Sequence, residues 1–218
     1  MHLAIDIGNV LCHVDLNLIV EKLSRSLNIS KEEALWFLTR IQKAHDLGLT
    51  TISDELVDRF KIKSELIVSD IIASWNTCIV PNQLVLNKLM ELKYQRGLQI
   101  AILSNIGFEH KKNLFDILLP RHQNLIKDSV THFSCDAGCR KPSLLYYQSF
   151  LQQYPDFNGC TYVDDLSENL DASKKFGFKT FKFDLNDYYE QNRRFKLGYE
   201  SNDELNKKLF ELEKIIFE

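Results

Sequence analysis

The spacing of apolar residues along the chain alternates between two patterns. Short apolar runs or alternating segments bounded by Gly, Pro or polar residues are typical of strands. They occur at residues 3–5, 98–103, 130–135, 160–163 and 179–183. Between them, apolar residues recur every three or four positions, which predicts helices. Strands that alternate with helices predict an α/β fold, with a Rossmann-like parallel sheet flanked by helices and joined by right-handed crossovers.

One long stretch, residues 15–80, carries only the helical pattern. We predict four helices there, with N-caps at Asp15, Ser30, Ser53 and Ser64. Ser30 and Glu33 have the spacing of a capping box. The aromatic residues Trp36, Phe37 and Trp75 are expected in the core of this helical unit. The sequence therefore predicts residues 15–80 as an all-helical subdomain, inserted into an α/β core that comprises residues 1–14 and 81–200.

Residues 201–218 have the pattern of a separate amphipathic helix. A second capping-box pattern occurs at residues 201–204. The apolar stripe consists of Leu205, Leu209, Leu212 and Ile216. We expect this stripe to pack on the protein's own core, and a seam between two copies is the alternative. Both a monomer and a homodimer are compatible with the sequence.

Composition narrows the class of protein. The 218 residues suffice for one large domain or for a core with an inserted subdomain. A net charge of −3 and a pI of about 6.1 give no electrostatic reason to expect a nucleic-acid partner. No apolar run approaches the ~20 residues of a membrane span, and no signal-peptide pattern is present. Five irregularly spaced cysteines argue against a disulfide framework, so we expect a cytoplasmic protein.

The distinctive polar residues cluster at or just after the predicted strands. They are Asp6, Ser104, Asn105, Lys141, Asp164 and Asp165. In a parallel sheet the carboxyl ends of the strands meet at one edge, which is where ligands bind in such folds. Lys141 lies further beyond its predicted strand, which ends at residue 135, than the others lie beyond theirs. The convergence predicts an active site at this edge.

These residues belong to four short motifs whose order resembles the haloacid dehalogenase superfamily of phosphohydrolases. The motifs are Ile5 to Leu11, Leu103 to Asn105, Arg140 to Pro142, and Val163 to Asp165 with Glu168 and Asn169 after it. The helical insertion between the first and second motifs resembles the cap of that superfamily. Each motif alone is weak, but four in order with a cap in the expected place are a specific signal. The resemblance covers about residues 1–185.

The resemblance implies a phosphatase that forms an aspartyl-phosphate. The nucleophile would be Asp6, and Mg²⁺ would be held by Asp6, the Gly8 carbonyl and Asp165, with Asp164 as a supporting carboxylate. A carboxylate attacks a phosphate dianion only when nearby positive charge offsets the repulsion. Lys141 would supply part of that charge, a role suited to the compact ammonium group of lysine.

The resemblance also implies a site for the substrate. Ser104 and the Asn105 backbone would donate hydrogen bonds to the phosphate, together with Lys141. The expected substrate is a small phosphorylated metabolite, for which a sugar phosphate is one candidate, because Gly-Asn-Val after the nucleophile is similar to a subgroup that includes bacterial sugar-phosphate phosphatases. The helical cap, which would roof the site, favours small substrates over proteins.

The sequence departs from the family pattern at Gly8. The usual second aspartate, two residues after the nucleophile, protonates the leaving alcohol, and glycine cannot do so. General acid–base catalysis is typically worth about 10² to 10⁴-fold. Water, the leaving phosphate or a residue of the cap region would have to supply the proton, and His13, His45 and Asp46 are candidates.

Two other functions stay open at this point. The same aspartate attacks carbon in dehalogenases, which need no metal, although the Asp164–Asp165 pair favours a metal site. Gly8 also leaves room for a non-catalytic protein that binds a phosphorylated metabolite or has a regulatory role.

Overall fold

The computed structural model describes residues 1–183 and 203–217. Its strands are β1 (His2–Ile5), β2 (Cys12–Val14), β3 (Ile79–Pro81), β4 (Gln99–Ser104), β5 (Val130–Phe133), β6 (Thr161–Asp164) and β7 (Lys179–Lys182). Five of them form a parallel sheet in the order β5-β4-β1-β6-β7. The first strand is central, with Ile5 opposite Ile102 on one side and Val163 on the other. The predicted α/β fold is confirmed.

Helices fill the connections between the strands. They are α1 (Leu16–Leu27), α2 (Lys31–Asp46), α3 (Ile52–Phe60), α4 (Glu65–Thr77), α5 (Gln83–Arg96), α6 (Phe108–Ile117), α7 (Pro120–Lys127), α8 (Ser134–Ala137), α9 (Leu144–Gln153), the 3₁₀-helix Pro155–Phe157, α10 (Ser167–Lys174) and α11 (Asp203–Phe217). Within residues 1–183 and 203–217, none of these helices has the length and apolarity that a membrane crossing requires.

Alternate residues of the central strand point to opposite faces of the sheet and enter two different apolar clusters. Leu3 and Ile5 pack on the face that also buries α5 and α11. Ala4 lies on the other face, where its small side chain leaves room for the fully buried rings of Tyr146 and Tyr147. The sheet is thus covered on both sides, as a parallel sheet requires.

The inserted helices α1 to α4 have an apolar cluster of their own. Its buried members include Ile19, Leu23, Phe37, Ile41 and Ile71. Two predicted caps are present: the Asp15 carboxylate accepts from the Asn17 N–H at 3.1 Å, and Ser30 forms both bonds of its capping box with Glu33, at 2.8 and 3.1 Å. The third cap is Thr51, not Ser53, because Thr51 has extended backbone and its hydroxyl accepts from the Asp54 N–H at 3.0 Å.

Three local predictions are wrong at their boundaries. Residues 79 and 80 are not helical but belong to β3, which pairs antiparallel with β2 and forms the stem through which the chain enters and leaves the inserted helices. These strands of three residues are too short to show an alternating pattern. The strand predicted to end at Cys135 ends at Phe133, where a helical turn begins. The sequence after Asn105 also predicts helix as far as Leu119 and Pro120, but the first helix ends at Ile117 and a second begins at Pro120.

One aromatic residue predicted in the core of the helical unit is on the surface. Trp36 is 60% exposed, with the Arg40 guanidinium 5.2 Å from its ring centre. Phe37 is buried as expected. Trp75 is partly buried and packs against the clusters of both the inserted helices and the sheet. It therefore lies where the two units meet.

The C-terminal helix α11 buries its apolar stripe against the sheet cluster, as expected. Leu205, Leu209, Leu212 and Ile216 are all buried there. Glu213 lies 2.7 Å from Lys88 of α5 and also pairs with Arg96. The capping box at residues 201–204 falls partly outside the described residues, as does the part of the predicted core from 184 to 200. The division into three units at the predicted boundaries stays a prediction.

Candidate active site

The ends of the three central strands bring the predicted polar residues together. Asp6 follows β1, Ser104 ends β4 and Asp164 ends β6. These strands are direct neighbours in the sheet, and their aligned register leaves the three residues at one edge. Residues that are between 60 and 158 positions apart in the sequence therefore lie side by side.

Lys141 reaches this edge from the loop before α9. Its side chain is 1% exposed. The ammonium nitrogen lies 2.9 Å from Asp6 Oδ1 and 2.8 Å from Asp164 Oδ2, and it donates to the Leu103 carbonyl at 2.9 Å. Burial alone would lower the pKa of Lys141, but the charges of Asp164 and Asp6 raise it above its usual value. The side chain is therefore a fixed positive charge between two carboxylates.

The Asn105 side chain holds the loop that carries Lys141. Its carbonyl oxygen accepts from the Lys141 N–H at 2.8 Å, and its amide group donates to the Lys141 carbonyl at 3.0 Å. An amide that pairs with both groups of one residue fixes that residue's backbone. This pairing explains how Lys141, which lies outside any strand, is held beside the aspartates at the strand ends.

Asp164 is a buried hub of hydrogen bonds. Oδ1 accepts from the Leu166 N–H at 2.9 Å and from Asn169 at 2.9 Å, and Oδ2 accepts from Lys141 and from the Tyr162 hydroxyl. Burial would raise the pKa of Asp164, but Lys141 and these donors outweigh it and hold the pKa below its usual value. Asp164 is therefore an ionised carboxylate whose lone pairs are largely committed to protein groups.

Asp165 and Asp6 have fewer partners. The Asn9 side-chain amide group donates to Asp165 Oδ2 at 3.1 Å, and its Oδ1 accepts from the Val14 N–H at 3.2 Å. Asp6 Oδ1 accepts from the Ile7 N–H at 2.7 Å in addition to the contact with Lys141. Asn9 adopts φ = 51°, a left-handed conformation that asparagine tolerates better than most residues. The turn after β1 thus aims the Asn9 side chain at the carboxylate after β6.

The electrostatics of the three carboxylates favour a divalent cation. Burial raises the pKa of Asp6 to about 7; Lys141 opposes this shift, and Asp164 adds to it. Burial also raises the pKa of Asp165. Carboxylate oxygens of Asp6, Asp164 and Asp165 lie within 4.8 Å of one another, with one ammonium beside them. An all-oxygen set with surplus negative charge fits a hard cation such as Mg²⁺.

A cavity of about 430 Å³ opens above this edge. Its floor includes the predicted residues Asp6, Gly8, Ser104, Asn105, Lys141 and Asp165. Asp164, which is fully buried, lies beneath it. Its roof comes from α2 and from Trp75, so the inserted helices and the sheet share the cavity. The volume is within the ~300–1,000 Å³ typical of small-molecule sites.

The end of α2 docks beside the loop that carries Lys141. Asp46 Oδ2 lies 3.0 Å from Arg140 Nη2, and the Asp46 carbonyl accepts from the Ser134 hydroxyl at 2.5 Å. His45 Nε2 lies 3.4 Å from Glu109 Oε2, and Glu109 also accepts from the Ile52 N–H at 2.8 Å. Two candidates for the missing proton carrier, His45 and Asp46, therefore line the cavity but already have charged partners.

Sequence reasoning gave no role to two residues of the site, Tyr162 and Glu109. Tyr162 contacts both Lys141 and Asp164, and its position directly before the fourth motif was the available signal. Glu109 had no signal in the sequence, because its partners His45 and Ile52 come from the inserted helices.

The charge of His45 should make docking of α2 sensitive to pH. Burial alone would lower the pKa of His45, but Asp46 and Glu109 raise it to about 9. Unfolded histidine has a pKa near 6.5. The stabilisation is therefore complete below pH ~6.5 and is lost as the pH rises through about 9. We expect the difference in Tm between the native chain and His45→Asn to shrink by at least about 2–4 °C between pH ~6 and ~9.5.

His110 provides a matched control on the same contact. Its ring stacks on Trp75 at 4.2 Å, and burial lowers the pKa of His110 to about 4, so it stays neutral over this range. Near pH ~6 the unfolded chain still takes up a proton at this histidine and the native chain does not, so native His110 costs stability there and not at pH ~9.5. The stability of the native chain relative to His110→Asn should therefore rise over this pH range, opposite in direction to the change for His45→Asn. A His45→Asn difference that does not change with pH would contradict the ion-pair interpretation.

Solved structures of other proteins have a similar fold. A HAD family enzyme of Bacteroides thetaiotaomicron matches with a TM-score of 0.74 at 21% identity, over 87% of this chain and 97% of its own. The chain has the haloacid dehalogenase fold. A predicted HAD-like hydrolase of Porphyromonas gingivalis matches with a TM-score of 0.70 at 15% identity, over 88% and 95% of the two chains.

The fold is also shared with dehalogenases proper. L-2-haloacid dehalogenase of Xanthobacter autotrophicus matches with a TM-score of 0.59 at 16% identity, over 89% of this chain and 82% of its own. No protein-family model and no curated protein matches the sequence. At these identities the similarity establishes the fold, and the chemistry has to be argued from the site.

Proposed function

We propose that the protein is a Mg²⁺-dependent phosphatase that acts on a small phosphorylated metabolite. The observation that carries the proposal is the convergence of Asp6, Asp164 and Asp165 with buried Lys141 at the floor of one cavity. Structures of the Bacteroides enzyme with magnesium and with inorganic phosphate support this chemistry for a protein of the same fold. Sugar phosphates are the candidate substrates that the sequence resemblance implies.

In the proposed reaction, an oxygen of Asp6 forms a bond to phosphorus as the bond from phosphorus to the leaving alcohol breaks. The alcohol takes a proton, and water then cleaves the aspartyl-phosphate, which releases phosphate and restores Asp6. Lys141, 2.9 Å from Asp6, orients the nucleophile and offsets the charge of the phosphate. Ser104 and the Asn105 backbone, which line the floor, would bind the phosphate oxygens.

The proposed metal ligands are Asp6, the Gly8 carbonyl and Asp165. Asp164 is better suited to a supporting role, because both of its oxygens already accept hydrogen bonds from the protein. Bound Mg²⁺ would supply positive charge that brings the phosphate and the nucleophile together. The carboxylate of Asp165 would be oriented for this role by Asn9.

The Asn9 contact gives a direct test of the metal site. We expect Asn9→Gly to weaken Mg²⁺ binding by about 10 to 100-fold, because Asp165 loses the donor that orients it. Glycine keeps the left-handed conformation accessible, so the backbone need not change. Calorimetric titration with Mg²⁺ measures the effect. Asn28→Gly is the matched control, since Asn28 has φ = 54° at the end of α1, far along the chain from the site. Equal affinity of both variants would contradict the metal assignment.

The activity itself is tested with a panel of phosphate esters, measured with Mg²⁺ and with a chelator. Acetyl phosphate and p-nitrophenyl phosphate belong in the panel, because their good leaving groups need no acid catalyst. Phosphate release that depends on Mg²⁺ supports the proposal. If no ester is hydrolysed but Mg²⁺ and phosphate esters bind, the non-catalytic alternative replaces it.

Dehalogenation is a second candidate because the dehalogenase of Xanthobacter autotrophicus has the same fold. The paired Asp164 and Asp165 weigh against it, since attack on carbon requires no cluster of carboxylates beside the nucleophile. Release of chloride from a 2-chloro acid in the presence of a chelator would favour this candidate over the phosphatase.

The cellular setting follows the same reasoning. We propose a cytoplasmic enzyme, because all five cysteines are free and buried. The proposed partner is a small phosphate ester, with no nucleic acid or membrane involved, and the protein would act as a monomer or a homodimer.

A further inference from the structure

The cavity becomes apolar away from its charged floor. Three leucines from separate segments line it and remain about half exposed: Leu16 at the start of α1 is 47% exposed, Leu35 of α2 is 48% exposed, and Leu166 after β6 is 47% exposed. Single exposed leucines are common on protein surfaces. Three around one opening form an apolar patch of the kind that marks a ligand site.

The wall beneath these leucines is also largely hydrocarbon. Val14, Leu38, Ile41, Trp75 and Ile79 line it. Before its last turn, α2 contributes two polar side chains to this wall, Thr39 and Gln42. They lie on the same helix face as Leu35. A ligand with many hydroxyl groups would therefore place several of them against carbon, where they lose hydrogen bonds to water without replacement.

The charges along the cavity are already matched. Arg140 pairs with Asp46 at 3.0 Å, and His45 lies 3.4 Å from Glu109. Lys141 is held by the aspartates of the floor. Each of these three cationic side chains therefore has a carboxylate partner. Among the described residues that line the cavity, none of the three is without such a partner to bind a second anionic group of a ligand.

We propose that the substrate's leaving group is an uncharged, predominantly hydrocarbon alcohol about the size of one ring. A sugar or a group that carries a second phosphate fits this cavity less well. The inference rests on the proposed phosphatase, whose phosphate subsite is the charged floor. A volume of about 430 Å³ accommodates a phosphate and one ring, near the low end of small-molecule sites.

A matched pair of esters separates the two classes of leaving group. Cyclohexylmethyl phosphate and glucose 6-phosphate both carry phosphate on a primary carbon attached to a six-membered ring, and they differ mainly in ring hydroxyls. We expect kcat/KM for the cyclohexylmethyl ester to be at least about tenfold higher, the usual discrimination of an apolar pocket. The non-hydrolysable phosphonate analogues of both esters test binding alone. In calorimetric titrations with Mg²⁺ present, the cyclohexylmethyl analogue should bind more tightly than the glucose analogue.

Substitution of Leu35 locates the effect. We expect Leu35→Asn to lower kcat/KM for the cyclohexylmethyl ester about fivefold, by loss of apolar contact, and to lower it less for acetyl phosphate, which carries no ring. Leu66→Asn is the matched control, because Leu66 is 82% exposed on α4 and is not among the lining residues. Both positions are exposed on helices, so neither change should prevent folding.

The outcomes separate this inference from the proposed function. Equal or tighter binding of the sugar analogue, or equal effects of Leu35→Asn and Leu66→Asn, would overturn the apolar leaving group while hydrolysis of acetyl phosphate still supports a phosphatase. Absence of hydrolysis of every ester would reject the phosphatase, and the phosphonate affinities would then still decide which leaving group the cavity prefers.

Discussion

Asp6→Asn will lower phosphate release by about 10⁴-fold or more, because the amide cannot form the acyl-phosphate through which the proposed reaction passes. Asp6 directly follows the central strand, its carboxylate lies 2.9 Å from the Lys141 ammonium, and it lines the floor of the cavity. The rate is measured on p-nitrophenyl phosphate and on the preferred ester, with saturating Mg²⁺.

The same variant should fold at least as stably as the native chain when metal is removed. The pKa of Asp6 is raised to about 7, well above the ~3.9 of an unfolded aspartate. Ionised Asp6 therefore costs stability, and this cost grows as the pH rises from ~4 through about 7. At pH ~8 with a chelator, we expect the Tm of Asp6→Asn to equal or exceed that of the native chain, measured by calorimetry. A lost activity with a lowered Tm would indicate a structural defect.

A test of the covalent step uses beryllofluoride, which occupies the place of a phosphoryl group on aspartate. With Mg²⁺ it should raise the Tm of the native chain and leave that of Asp6→Asn unchanged. Full turnover by Asp6→Asn would remove Asp6 from its assigned role, and the phosphatase would need another nucleophile.

The sheet and its functional edge could be predicted from the sequence because they depend on local signals. The apolar run before Asp6 and the one before Asp164 mark strands, and parallel pairing then brings their ends together whatever the intervening distance. The caps at Asp15 and Ser30 could also be predicted, since capping depends on residues two or three positions apart.

The contacts between the inserted helices and the sheet could not be predicted in this way. The Glu109 carboxylate accepts from the Ile52 N–H and pairs with His45, and Trp75 stacks on His110. Each of these contacts depends on how the inserted helices pack against the rest of the protein, and the spacing of residues along the sequence does not indicate that packing. The exposed position of Trp36 has the same cause. Its aromatic side chain is typical of a core residue, but the residue type does not indicate which way the side chain faces.

Gly8→Asp tests what the departure from the family pattern costs. The space beside Gly8 can take a side chain: a Cβ there would lie 3.8 Å from Val14 and 4.0 Å from Asp6 Oδ2, both ordinary contacts. We expect the variant to raise kcat by about 10² to 10⁴-fold on esters of unactivated alcohols, because a carboxyl group two residues after Asp6 can protonate the leaving oxygen. Buried carboxylates nearby would keep this group partly protonated near neutral pH.

The leaving group decides whether the increase reflects proton transfer. With p-nitrophenyl phosphate, whose leaving group needs no proton, kcat of Gly8→Asp should stay within a few-fold of the native value. Gly8→Asn is the matched control, since it has nearly the same size and no acidic proton, and it should show no increase with either ester. An equal increase for both variants would assign the effect to packing. No increase for Gly8→Asp would mean that the native chain already has a proton source. The first candidates would then be His45, beside Glu109, and Asp46, beside Arg140.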